Sequence, residues 1–143
     1  MLVKNILGDK GREVISISAD ATLSEATRLL ARRRIGAVVV RDESGALAGI
    51  LSERDVVRAV ADESVTALAR PVSVYMTRAV ATCTEQDSIE DLMEMMTLGR
   101  FRHMPVVEND RITGMISIGD VVKTRIAETV QEATSLRAYI TAA

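Results

Sequence analysis

Two stretches of the chain carry side chains suited to chemistry at the same spacing. Residues 49–55 read GILSERD and residues 114–120 read GMISIGD, and both run on into Val-Val. Each sets a hydroxyl, Ser52 or Ser117, three positions before a carboxylate, Asp55 or Asp120. Ser followed at that spacing by an acid is a helix cap: the hydroxyl takes an orphan N–H of the first turn, and the acid suits the positive end of the helix dipole. The same geometry suits a ligand. A helix start presents N–H groups and partial positive charge to a phosphate, and an ionised Asp offers acceptors only, which suit the two hydroxyls of a ribose. From these residues alone both readings stand, and they are compatible.

The elements that must position these motifs are also duplicated. VISISADATLSEA (14–26) lies over VATCTEQDSIEDL (80–92). Each copy reads as a short strand (Val14–Ile17, Val80–Cys83), a polar turn and a capped helix start at Thr22 or Ser88. Leu23, Ala26, Leu29 and Leu30 then mark one buried helical stripe, and Ile89, Leu92, Met93 and Met96 another. IGAVVVRD (35–42) lies over FRHMPVVE (101–108) as a second strand. A turn and a third strand, Leu47–Leu51 or Ile112–Ile116, lead into the opening motifs and a second helix. The length difference between the copies falls in the turn, where it costs least. The expected fold class is α+β: two β-α-β-β-α repeats packed sheet to sheet with pseudo-twofold symmetry. The expected divisions are an N-terminal segment (1–11), repeat 1 (12–62), a crossover linker (63–77), repeat 2 (78–128) and a C-terminal helical extension (129–143). One repeat alone is too small to be comfortable.

The chain has 143 residues, 48% hydrophobic and 27% charged, a globular composition. Aromatics are 2%, so the core must come from aliphatics and Met. A net charge of −2 argues against a nucleic-acid surface. One Cys and one His exclude an intrachain disulfide and a Cys/His zinc cage. The opening MLVKNILGDKGREV, broken by Lys4, Asn5 and Gly8, reads as neither a secretory signal nor a membrane span. A cytoplasmic protein without a membrane partner is the expectation. No Walker A, G-x-G-x-x-G or metalloprotease motif is present, so no enzyme is expected.

The tandem series resembles the cystathionine-β-synthase (CBS) domain, and the whole resembles a stand-alone bacterial CBS-domain pair. It is carried by SISAD and TCTEQD, the capped helices, IGAVVV and HMPVV, and Gly-h-h-Ser-x-x-Asp, in order in both halves over roughly residues 12 to 128. The resemblance implies clefts that bind adenine nucleotides: AMP, ADP, ATP or NAD(H), less often S-adenosylmethionine. It also implies a homodimer through the helices and a report to an unidentified regulated protein. Asp55 and Asp120 would be the ribose anchors, with Ser52 and Ser117 beside them. The adenine would lie by Ser16, Ile17, Ala37 and Val38 in one half, and by Thr82, Cys83, His103, Met104 and Pro105 in the other. No metal or catalytic residue is implied. The different-class alternative is a dimerisation scaffold with empty clefts.

The copies differ. Arg54 stands where the second motif has Gly119, and Val39 where the second strand has Pro105. Arg54 can reach a phosphate and Gly119 cannot, so unequal clefts are expected. Arg34 aligns with Arg100, and with Arg102 nearby these can edge a cleft. Arg58 and Lys123, each three residues after its Asp, suit an i, i+3 ion pair slightly better than a phosphate. Val122, Ile126, Val130 and Ala133 mark an apolar stripe on the last helix, for a dimer seam or a partner.

Overall fold

The computed structural model describes residues 1–142. Repeat 1 runs β1 (Ser16–Ser18), α2 (Leu23–Arg33), β2 (Ala37–Arg41), β3 (Leu47–Ser52) and α3 (Glu53–Glu63), preceded by α1 (Val3–Lys10). A 3-10 turn (Ser64–Ala69) and α4 (Val72–Tyr75) lead into repeat 2: α5 (Ile89–Gly99), β4 (His103–Glu108), β5 (Arg111–Ser117) and α6 (Ile118–Ala142). β2 pairs parallel to β1 and antiparallel to β3, and β4 pairs antiparallel to β5.

The expected caps form. Thr22 Oγ1 accepts the Glu25 N–H at 3.1 Å, and Ser88 Oγ accepts the Asp91 N–H at 3.1 Å. Both helices end on an arginine in the left-handed region, Arg34 (φ 54) and Arg100 (φ 55), which turns the chain sharply into the next strand. β2 is buried on both faces: Val38 and Val40 enter the repeat 1 core, while Ala37 and Val39 face the other way and are as fully covered. Burial of both faces is what face-to-face sheets require.

The expected strand Val80–Cys83 is corrected to a single bridge, Cys83 with Val106. In repeat 1 the Val39 N–H donates to the Ile15 carbonyl at 3.2 Å, extending the edge contact. The aligned residue in repeat 2 is Pro105, which has no N–H to give. Only the bonds around Cys83 remain, Cys83 N–H to Pro105 O at 3.0 Å and Val107 N–H to Cys83 O at 2.8 Å.

The two cores are completed by exchanged leader segments. The α1 residues Val3, Ile6 and Leu7 are buried in the repeat 2 core. The stretch entering repeat 2 supplies Ala67, Val72 and Met76 to the repeat 1 core. The docking bonds match pair by pair. Val3 and Lys4 donate to the Asp87 and Glu85 carbonyls, as Val72 and Ser73 donate to those of Ala21 and Ala19. The leaders cross the third strands at glycine. A Cβ on Gly49 would stand 2.6 Å from the Thr77 carbonyl oxygen and 2.9 Å from Met76 Sδ. A Cβ on Gly114 would stand 2.6 Å from Leu7 Cδ2. Within the segment 1–11 expected from sequence, Val3, Ile6 and Leu7 thus pack into repeat 2.

Gly49→Ala drives a methyl into backbone, which cannot rotate away, so it should cost about 1–3 kcal/mol of overpacking. Gly114→Ala meets a side-chain end and should cost less. Urea unfolding of both variants measures this, and equal midpoints would contradict the crossing as described.

Candidate functional site

The two opening motifs meet at one cleft. Ser52 Oγ accepts the Asp55 N–H at 3.3 Å, and Asp55 Oδ2 accepts the Ser52 N–H at 2.9 Å. Ser117 and Asp120 make the same pair of bonds, at 3.1 and 2.9 Å. Each helix start is also tied to the corner before its second strand. The Glu53 N–H donates to the Gly36 carbonyl at 2.9 Å, and the Ile118 N–H to the Arg102 carbonyl at 2.7 Å. The left-handed arginine corners and the helix N-termini are therefore fixed against each other.

The result is a cleft of about 970 Å³ between the repeats. Repeat 1 lines it with Ala37, Ile50, Ser52 and Asp55, the connection with Thr77, and repeat 2 with Arg102, His103, Ser117 and Gly119. Arg54, Arg58, Arg100 and Arg102 all line it, against the acids Glu53 and Asp55. Among the described residues none of these four arginines forms an ion pair. Arg54 Nη1 approaches only the Arg100 carbonyl, at 3.5 Å. The i, i+3 ion pairs favoured slightly over a phosphate contact for Arg58 and Lys123 do not form: Arg58 lines the cleft, and Lys123 makes no ion pair with Asp120. Lys10 takes that place: its Nζ lies 2.7 Å from Asp120 Oδ2.

Of the residues named from sequence, the cleft brings together Ala37, Ser52, Arg54, Asp55, Arg102, His103 and Ser117. It does not include the rest. Val38, Cys83, Met104 and Pro105 are buried, Ser16 and Ile17 lie on β1, and Thr82 is exposed before the bridge. Asp120 is paired with Lys10. Burial pushes the Cys83 thiol up to about 12, helped by Asp87 and Glu108, which leaves it uncharged at neutral pH. Thr77, Ile50 and Gly36 line the cleft without having been singled out. Thr77 was hidden because it lies at the end of what reads as a linker, yet its hydroxyl stands 3.5 Å from Asp55 Oδ1.

The geometry defines a class: a tandem α+β repeat whose two helix starts face one shared, cationic cleft. The CBS domain family profile matches residues 3–62 and 72–127. The CBS-domain containing protein ATU1752 from Agrobacterium tumefaciens superposes with a TM-score of 0.85 at 49% identity, over 87% of this chain and 92% of that one. The CBS domain protein PAE2072 from Pyrobaculum aerophilum, solved in complex with AMP, superposes with a TM-score of 0.75 at 28% identity, over 84% and 89%. The CBS domain-containing protein CBSX3, mitochondrial, of Arabidopsis thaliana is 32% identical over 96% of this chain and 71% of that protein. This chain belongs to the CBS domain family, as a tandem pair. No helix among the described residues is long and apolar enough to cross a membrane.

His103 reports on the cleft. Burial lowers its pKa below the ordinary histidine value, and Lys10 and Arg102 add to the shift against the opposing Glu53 and Asp120. The folded protein thus resists protonation that the unfolded chain accepts, and stability falls as pH drops below about 6.5. His103→Gln should flatten the stability–pH profile just below that value in chemical unfolding. An unchanged profile would contradict the burial of a neutral imidazole.

Proposed function

We propose that the protein is a regulatory module that binds an adenine nucleotide in the inter-repeat cleft and signals its occupancy to a partner protein. One observation carries this: the capped N-terminus of α3, with Asp55 on its first turn, faces a cleft lined by four arginines that have no ion-pair partner among the described residues. Asp55 has acceptors for a ribose diol, and Thr77 and Ile50 flank it. The helix N-terminus and the arginines suit phosphate. That balance of charge favours AMP, ADP, ATP or NAD(H) over the sulfonium cation of S-adenosylmethionine. The AMP complex of PAE2072 supports the nucleotide class. In this reading Asp55 and Arg54 bind and do no chemistry, and the module is not an enzyme.

The helices support a homodimer. Val57 on α3 and Val122 on α6, at matching positions after the two motifs, are 66% and 43% exposed. Met95, Leu98 and Ile126 add to the uncovered apolar surface. Apolar surface of that kind marks contact with another protein. Residues 118–142 form one unbroken helix, with the expected stripe Val122, Ile126 and Val130 exposed; Ala143 of the predicted extension lies outside the described residues.

A thermal-shift panel of AMP, ADP, ATP, NAD⁺, NADH and S-adenosylmethionine tests the reading. A ligand at 100 times its Kd should add about 2.7 kcal/mol of stability. Asp55→Ala removes the charge-assisted hydrogen bonds to a ribose diol, worth about 1.5–3 kcal/mol each, so loss of both should weaken binding by about a hundredfold or more. No shift with any compound at millimolar concentration would favour a dimerisation scaffold instead.

A further inference from the structure

The two Asp anchors are not equally free. Asp55 lines the cleft, and beyond its bonds to Ser52 it meets only the neutral Thr77 hydroxyl, at 3.5 Å. At the other end, among the described residues, the lining reaches Ser117 and Gly119 but not Asp120. Lys10 stands there. Its Nζ donates to Asp120 Oδ2 at 2.7 Å and to the Met115 carbonyl at 2.8 Å. We infer that Lys10 is a built-in occupant of the second ribose anchor, so that each chain takes one nucleotide, at the Asp55 end. The inference rests on the nucleotide reading of the cleft.

Three features hold the lysine in place. It closes α1, whose Val3 and Leu7 are fully buried in the repeat 2 core. Two residues on, Arg12 Nη2 reaches Glu85 Oε1 at 2.6 Å and pins the chain again. The stretch from Leu7 to Ile15 is also longer than its counterpart from Met76 to Ala81, and Lys10 lies within it. The second leader carries Arg78, but its guanidinium donates to the Ser73 carbonyl at 3.0 Å and makes no ion pair with Asp55. Where that leader offers Thr77, the first offers an ammonium.

The chemistry then separates the two ends. An ionised carboxylate offers both its oxygens as acceptors to a ribose diol. At both anchors Oδ2 already accepts its serine's N–H, but at Asp120 it also holds the Lys10 ammonium, where at Asp55 it takes only the neutral Ser52 hydroxyl. A nucleoside would have to displace a charge-assisted bond and leave the cation without its partner. Burial pushes the Asp120 carboxyl up, but Lys10 and Ser117 outweigh it and hold it below the ordinary aspartate value.

Binding stoichiometry of the full chain with AMP decides the matter, by calorimetric titration of wild type, Lys10→Ala, Asp55→Ala and the double variant. One AMP per wild-type chain is expected, none in Asp55→Ala, two in Lys10→Ala and one in the double variant. Two AMP per wild-type chain overturns the inference and leaves the nucleotide reading intact. So does a Lys10→Ala chain that gains no site or binds more weakly, since Lys10 would then be a ligand contact or a structural pair. No AMP on any of the four overturns the inference together with the AMP form of the nucleotide reading. Lys10→Gln replaces Lys10→Ala if the latter does not unfold cooperatively. An independent readout is the NMR titration of the Asp120 carboxyl: its pKa should rise in the Lys10 variant, and an unchanged titration refutes the contact itself.

Discussion

The crossing of each leader over the third strand of the other repeat is the contact on which the molecule depends. Leu7 lies on Gly114, and Met76 with Thr77 lies on Gly49. Neither repeat closes its own core: one takes Val3, Ile6 and Leu7 from the start of the chain, the other Ala67, Val72 and Met76 from the connection. A repeat of this size buries too little surface by itself, and the exchange makes the two halves one folding problem. The glycine that opens each Gly-h-h-Ser-x-x-Asp motif is there for this close approach, and the Ser and Asp that follow are there for the helix start.

The cleft follows from the same arrangement. The crossings bring the helix starts of α3 and α6 to one groove, and the Gly36 and Arg102 carbonyls bind each start to its arginine corner. A left-handed arginine is unfavourable by about 1 kcal/mol relative to a glycine, an order of magnitude set by the Cβ clash. At Arg100 the same corner lies on the cleft. The helix dipoles and arginines concentrate positive charge on a protein whose net charge is −2, so the cationic character is local and built by the fold.

Much of this was legible in the sequence because it is written in local patterns. The duplicated caps, the helical stripes and the third strands are short-range features, and Ser52, Asp55 and Ser117 were found from them, Arg54 and Arg102 from comparing the copies, and Ala37 and His103 from the family resemblance. What stayed hidden depends on long-range placement. Thr77 and Lys10 sit in segments that look like a linker and a tail, and their roles come from crossing to another repeat. Val38, Cys83, Met104 and Pro105 align well along the strands, but their side chains enter the core or the sheet–sheet seam and not the cleft. Pro105 also shortens the edge contact of repeat 2, a consequence visible only once Val39 N–H is seen bonded to Ile15. The two copies are unequal as the sequence indicates, and the inequality extends to a cation at one anchor and a hydroxyl at the other.

The central claim is that a nucleotide sits between the repeats with its ribose on Asp55 and its phosphate among the arginines. Amide chemical-shift mapping of the full chain during titration with AMP tests it most directly. The account predicts saturable shifts concentrated at Gly36, Ile50, Ser52–Asp55, Thr77 and Arg100–His103, with little change on the exposed turns of α6. Saturable shifts confined to any other surface, or none at millimolar AMP, would contradict it.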